Sequence, residues 1–282
     1  MTNSIVGTET VPSDRHSCGL LADTEWNLLN SGQAMYYSHI VALYEAHKAY
    51  SYVVDFARLA MQFLGIAKDS SSIKLEMLSR LFNAALATSQ FELAHTSLLS
   101  IKDDALKHSC LRKLVDKMCE TYHNIELVSL PFPGMQQEVD DILSSRCRNT
   151  TDVVQGFPYH QVLYSWRIKR NNYRGAASIL LDRIQKLKLA GEGDKIMGDD
   201  VLDSPVTRQY LLLINALSCV DPKQAWIFDE GSPALHQNGD GGSKRKVVSL
   251  ADIRKQYQDE LDRIAAIQNN QFGFEASDVM EL

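Results

Sequence analysis

The chain has 282 residues, a net charge of −6 and 45% apolar residues, with only 7 prolines and 15 glycines. That length suits one large or two ordinary domains, and an acidic balance gives no reason to expect wholesale nucleic-acid binding. The five cysteines (Cys18, Cys110, Cys119, Cys147, Cys219) are odd in number and form no CxxC pair, which fits a reducing compartment. No apolar stretch follows Met1, so no secretory signal is expected, and the longest apolar run, Tyr210 to Val220, is far short of a transmembrane segment.

Residues 1–23 are polar and rich in Ser, Thr and Gly, and read as a disordered lead-in. A helical body is expected over 24–230, beginning with a short helix around Trp26. From Gln33 the period is helical, with Tyr36, Ile40, Leu43, Tyr44 and His47 on one face. After a turn near Lys48, Tyr50, Val53, Val54, Ala57, Ala60, Phe63 and Leu64 continue it, and Gly65 supplies a stop. Caps at 69–72 open the next helix, which carries Ile73, Met77, Leu78, Leu81, Ala85 and Leu86. Its partner carries Phe91, Ala94 and Leu98, after the polar turn Thr88-Ser89-Gln90.

Leu106, Cys110, Leu114, Val115 and Met118 predict a further helix. Ile125 to Leu130 predicts a short one, stopped by Pro131 and Pro133. Met135 to Arg148 predicts another, with Val139, Ile142, Leu143 and Cys147 inward.

The clearest hairpin is central. Tyr159, Val162, Leu163 and Trp166 share a face, with Pro158 in the first turn. Asn171-Asn172 makes the turn, and Tyr173, Ala176, Ala177, Leu180, Ile184 and Leu187 repeat the face. The small trio Gly175, Ala176, Ala177 is expected to bring the two helices close. An aromatic followed three residues on by a small or β-branched residue recurs after three turns: Tyr50/Val53, Phe91/Ala94 and Tyr173/Ala176.

Residues 191–203 read as a Gly/Asp-rich loop, and Tyr210 to Val220 as a helix buried all round. Asp221-Pro222 is expected to restart a helical turn through Trp226. A mobile loop is expected over 231–248 and a terminal helix over 249–268, opened by a Ser249/Asp252 capping box, with a flexible tail over 269–282. No strand is expected. Successive helical hairpins without a short consensus predict an all-α fold, an irregular α-solenoid of stacked antiparallel hairpins.

Chemistry is sparse. The eight histidines form no HExxH, and His39 and His47 lie two turns apart, so no metal ligands are expected. Asp103-Asp104 and Asp140-Asp141 read as helix-start or solvated carboxylates, not an acid/base couple. The glycines at 191–193 and 239–242 build no phosphate loop, and Cys110 and Cys119 read as packing thiols. No catalytic, cofactor-binding or metal-ligating residue is expected, and no cofactor.

Arg167, Lys169, Arg170, Arg174, Arg183, Lys186 and Lys188 cluster in the central hairpin, with Asp182 as its lone acid. They fit either the solvated face of two amphipathic helices or a docking surface for an acidic partner or nucleic acid. Lys244-Arg245-Lys246 is read as a solvated loop, with a minimal import signal as the sharper alternative. Trp166 and Trp226 are read as core.

One family resemblance runs through the chain. Its residues are Tyr36-Tyr37 with Ile40 and Leu43-Tyr44-Glu45, then Cys110 to Val115, then Leu127-Val128 and Leu130-Pro131-Phe132. Tyr164 to Ile168 and Asn172-Tyr173-Arg174 with Ala176-Ala177 follow, and then Asn215 to Cys219, Ala225-Trp226-Ile227 and the Leu250/Ile253/Tyr257 helix. In this order, over about residues 33–268, they resemble the α-helical region of the large outer-ring (Y-complex) nucleoporins of the nuclear pore. These are the 160-kilodalton type of animals and its 120-kilodalton fungal counterpart.

The resemblance implies a structural constituent of the nuclear pore complex at the nuclear envelope. It would be a scaffold, not an enzyme, supporting pore assembly, protein transport and mRNA export through contacts with other Y-complex nucleoporins. It implies no small-molecule substrate and no direct nucleic-acid contact. The alternative from the residues alone is a helical-repeat adaptor that binds a peptide or cargo protein, of vesicle-coat or tetratricopeptide-like kind. An all-α enzyme would need a buried cluster of titratable groups in one pocket, which no motif here announces.

Overall fold

A computed structural model of the chain describes residues 32–64, 71–194, 204–229 and 246–275. Among them are eleven α-helices and one two-stranded antiparallel sheet, so the fold is an all-α helical repeat of antiparallel hairpins. The chain divides into two compact units, residues 1–121 and 122–282. The expected lead-in, the helix near Trp26, Gly65 and Lys244-Arg245 lie outside the described residues.

The first unit holds α1 (Gln33–Ala46), α2 (Tyr50–Leu64), α3 (Ser71–Ala87), α4 (Phe91–Ser100) and α5 (Asp104–Glu120). Each helix packs on the next in chain order. Val41, Val53, Val54, Ala57, Ala60, Met77, Leu81 and Ala84 form its buried centre. Beside it an aromatic ladder joins α1 to α2: Tyr37 stacks on Phe63 and Phe56, and Tyr44 stacks on Phe56 and Tyr52, at centroid distances of 5.0–6.1 Å. The face expected on α1 is therefore corrected. Val41 is its buried residue, flanked by Tyr37 and Tyr44, while Leu43 is 49% exposed and His47 is exposed. Apolar residues occupy most of α1, so its sequence pattern fixes no single side; the rings of α2 choose one. Phe82 of α3 and Leu111 of α5, absent from the expected faces, are fully buried.

The hairpins share one turn. Lys48, Ser89, Tyr122 and Asn171 each take a left-handed φ of 57–60° directly after a helix. In three of these turns the following N–H closes back five residues: Ala49 donates to Tyr44 O at 2.9 Å, Gln90 to Ala85 O at 2.8 Å, and Asn172 to Arg167 O at 2.9 Å. This is the Schellman closure, which satisfies carbonyls that the helix end leaves open. One residue later the chain is helical again, at Tyr50, Phe91 and Tyr173. The recurring pair has a physical meaning here: Val53, Ala94 and Ala176, three residues beyond those aromatics, are all fully buried.

The second unit holds α6 (Asn124–Ser129), α7 (Gln136–Asn149), α8 (Tyr159–Lys169), α9 (Tyr173–Leu189), a 3₁₀ turn (Glu192–Asp194) and α10 (Pro205–Ser218), then β1 (Trp226–Asp229), β2 (Lys246–Ser249) and α11 (Leu250–Glu275). Val162, Leu163 and Trp166 of α8 are buried, and Phe132 packs on Trp166 with centroids 5.8 Å apart. Ala177, Leu180 and Ile184 of α9 join Val206, Tyr210, Leu213 and Leu217 of α10 in the larger core. Pro158 stands at the N-cap of α8, and Ser249 and Asp252 cap α11 reciprocally, as the capping box predicts.

Several expectations in this unit are corrected. Trp226 begins a strand, not a helical turn, and pairs with Ser249 in antiparallel register. The four-residue strands WIFD and KVVS are too short to show a period in sequence. Lys246–Ser249 thus lies in β2 and not in a loop over 231–248, and α11 continues past 268 to Glu275. The helix at Tyr210 is amphipathic, with Leu211 and Leu212 45% and 38% exposed. It begins earlier than expected, at Pro205, where Ser204 and Thr207 cap each other. Gly175 does not serve close helix packing: a Cβ there would meet the Asn172 side chain at 2.6–2.8 Å, while Ala176 and Ala177 form the buried contact.

The shared turn yields a test. Replacing Ser89 by Val puts a β-branched side chain at a left-handed residue and is expected to lower unfolding free energy by about 1–2 kcal/mol. Ser89→Gly, which keeps the closure without a Cβ, is expected to leave stability within about 0.5 kcal/mol. Urea unfolding of the two variants separates backbone strain from loss of the serine side chain.

Candidate functional site

The second unit concentrates the polar chemistry of the described residues on the central hairpin, α8–α9. The basic cluster read from sequence is there, and it is not simply a solvated face: most of its cations are held inside the unit as braces. Arg167 makes a two-pronged contact with Asp140 of α7, from Nε at 2.8 Å and Nη2 at 2.6 Å. The same guanidinium donates to Ser144 Oγ at 2.9 Å and to the Gly175 carbonyl at 2.8 Å. One side chain therefore ties three helices. Arg167 and Asp140 have side chains only 12% and 15% exposed, so Asp140 is corrected from a solvated carboxylate to a buried partner. Asp141 lies one residue away on another face, is exposed, and accepts from Gln137.

The other cations follow the same rule. The Arg170 guanidinium lies 3.0 Å over the Trp166 ring, and Arg174 lies 3.4 Å over Trp226. A stacked guanidinium exchanges water for the ring's negative face. Arg183 donates to Gln209 at 3.3 Å. Lys188 meets Glu260 at 2.9 Å, and Glu260, 4% exposed, also takes Arg263 at 2.6 Å. That triad fastens the end of α9 to α11. Lys169 has no such described contact.

Sequence reasoning missed His160. It is buried on α8, and its Nε2 meets Asp182 Oδ2 at 2.8 Å. An ionised carboxylate only accepts, so Nε2 carries the proton. Lys186 reaches the same oxygen at 3.0 Å and also donates to the Cys147 carbonyl at 2.7 Å. Burial pushes the Asp182 carboxyl up, but the His160 and Lys186 contacts outweigh it and hold the group below its ordinary value. The one available signal was that Asp182 is a lone acid among bases. Cys147 beneath this cluster is buried, and its thiol is pushed up to about 12, first by burial and then by Asp182. Cys110 is raised by burial as well, and Cys119 is fully buried, so both pack as expected.

A cleft of about 420 Å³ opens between α7, α9 and β1. Leu181 and Ile227 form an apolar floor, and Arg148, Arg174, Asn172 and Phe228 stand among its walls. Among the described residues no group of three or more His, Cys, Asp or Glu could hold a metal ion. No described helix is long and apolar enough to cross a membrane. The pairs His160–Asp182 and Arg167–Asp140 are structural in their geometry, since each ionic group is already turned to a neighbour within the unit.

The family model for the HEAT repeats of nucleoporin Nup120 matches residues 2–120, close to the bounds of the first unit. The chain is 46% identical to nucleoporin NUP120 of Chaetomium thermophilum over 347 aligned residues, which cover 93% of this chain and 28% of that relative. It is 23% identical to nucleoporin nup120 of Schizosaccharomyces pombe, over 82% of this chain and 20% of the relative. It is 24% identical to nuclear pore complex protein Nup160 of Homo sapiens, over 80% of this chain and 15% of the relative. The chain thus spans less than a third of each of these proteins.

The braces make two predictions. Asp140→Ala strands the buried Arg167 charge and is expected to cost about 3 kcal/mol, whereas Asp141→Ala should stay within about 0.5 kcal/mol. Paired urea titrations check this. Asp182 and Glu260 are both held below their ordinary values of 3.8 and 4.5 when folded. Their contribution is therefore complete above those values and is lost as pH falls through the lower folded ones. Stability followed from pH 6 toward about pH 2 should drop in that window, and Asp182→Asn should flatten part of the fall.

Proposed function

Because the chain belongs to the Nup120/Nup160 family of nucleoporins, we propose that it is a structural scaffold segment of the nuclear pore complex, in the outer-ring Y complex at the nuclear envelope. The observation that carries this reading is 46% identity to a fungal nucleoporin along 93% of the chain. The folded chemistry is in keeping with it. The buried ionic groups brace one helix to the next. Work of this kind is mechanical: it holds helix faces at fixed positions so that other proteins can dock.

In this reading the partners are other Y-complex nucleoporins, and the chain supports pore assembly, protein transport and mRNA export through protein contacts. It acts without a cofactor or a small-molecule substrate and is not an enzyme. Nucleic acid is not among its direct partners. Apolar side chains such as Ile125, Leu189 and Leu211, 85%, 64% and 45% exposed, offer surface for protein contact. The adaptor alternative is not favoured, since the relatives are named as nucleoporins and none as a cargo or vesicle-coat protein.

The test is affinity purification of the tagged 282-residue chain from its own cells, with mass spectrometry of the proteins that accompany it. Other outer-ring nucleoporins are expected in near-stoichiometric amounts. Recovery of cargo or coat proteins in their place would overturn the reading.

A further inference from the structure

We propose that the cleft between α7, α9 and β1 seats an acidic protein segment, one that places carboxylates beside an apolar side chain. The inference rests on the scaffold reading for the existence of a protein partner; the cleft itself specifies that partner's chemistry.

The argument begins with what surrounds the cleft. Its carboxylates are engaged: Asp182 with His160 and Lys186, Asp229 with the Gln185 amide at 2.6 Å, and Asp140, behind Arg167, with that guanidinium. Two of its cations differ. Arg148 stands exposed at the end of α7, with no hydrogen bond or ion pair among the described residues. Arg174 lays one face of its guanidinium on the Trp226 ring. Stacking uses the π face and leaves the in-plane N–H donors directed sideways, held in one orientation. It makes no ion pair among the described residues. Arg148, Arg167 and Arg174 outnumber Asp182 and Asp229 in the lining, so its balance is positive, and the donors of Arg148 and Arg174 have no acceptor among the described residues.

The floor supplies the second requirement. Leu181 and Ile227 are 5% and 1% exposed, and Phe228 at the rim is 40% exposed. An apolar side chain laid against the Phe228 ring, above that closed floor, would bury exposed surface while its neighbours meet the arginines. A carboxylate fits the planar donor fork of Arg174, and a charge-assisted contact there is stronger than a neutral one. A nucleic acid fits less well. Two open arginines neutralise few phosphates, the chain carries a net charge of −6, and single-strand binders use a continuous basic groove. The central basic cluster therefore splits in two: Arg167, Lys186 and Lys188 are internal braces, while Arg174 faces outward and works with Arg148.

The experiment titrates the whole chain with a fluorescein-labelled peptide of four glutamates flanking one phenylalanine. A glutamine version of that peptide and a uridine oligomer serve as competitors. The acidic peptide is expected to bind with a Kd below about 1 mM at low salt, more weakly as salt rises, and to shift Trp226 emission. The glutamine peptide should bind about tenfold more weakly or worse. Arg148→Glu should weaken the acidic peptide by about tenfold or more with Tm unchanged, because Arg148 makes no hydrogen bond or ion pair among the described residues. Arg174→Lys keeps the charge, loses the fork, and should fall between. Absence of saturable binding, equal affinity for the glutamine peptide, unchanged affinity in Arg148→Glu, or tighter binding of the uridine oligomer would each overturn the proposal. Peptide binding that persists while nucleoporins fail to co-purify would count against the scaffold reading and leave the cleft's chemistry standing.

Discussion

A guanidinium withdrawn from water must find an anion, a carbonyl or a ring, and the second unit is arranged around that requirement at Arg167. Its two-pronged contact with Asp140 joins α8 to α7, and its bond to the Gly175 carbonyl joins α8 to the start of α9. The residue sits where the chain also closes its turn, since the Arg167 carbonyl accepts from Asn172 N–H. Backbone closure, side-chain brace and helix cap therefore meet within a few residues. The Asn172 side chain caps Gly175 N–H at 2.9 Å, and Gly175 leaves room for it by lacking a Cβ. Loss of either charge would leave the other largely buried without its counter-ion, which costs far more than the pair itself contributes.

The same logic repeats down the hairpin. Asp182 gathers His160 and Lys186; Glu260 gathers Lys188 and Arg263; Trp166 and Trp226 accept Arg170 and Arg174 on their faces. Among the described residues the first unit makes fewer ion pairs, and it joins its first two helices through rings. Its α1–α2 contact is a run of stacked Tyr and Phe side chains, with Arg80 bridging Glu45 and Glu76 above it. Both are ways of fixing one helix against the next at a defined register. A scaffold needs that property, because docking faces on successive helices are useful only if their spacing is held.

The hairpin plan was legible because helix periodicity and turn chemistry are local. Asn171-Asn172 and Thr88-Ser89-Gln90 were readable as turns, and Val53, Ala94 and Ala176, placed on apolar faces by helical period, are buried. Misreadings came where local pattern was ambiguous. On α1 and α10 apolar residues occupy more than one face, so only the neighbouring helices decide that Val41 goes in and that Leu211 stays out. The strands at Trp226 and Lys246 are four residues each and pair across a separation that no local rule reveals. The polar site was the least legible part. Asp140 to Arg167 spans 27 residues and His160 to Asp182 spans 22, so composition showed a basic cluster but not what each base faced.

By itself, then, the sequence determined the all-α class, the order of the hairpins, the turn at Asn172, the capping box at Ser249, and, through its resemblance, the nucleoporin family. Each depends on interactions within one or two helical turns, or on residues kept in order along the chain. The tertiary structure alone decided which face of each ambiguous helix is buried and that a small sheet follows α10. It also decided which cations are braces and which are free to meet a partner. Those outcomes depend on pairing between residues far apart in the chain, where the cost of leaving a charge or backbone group without a partner is set by the neighbours the fold brings to it.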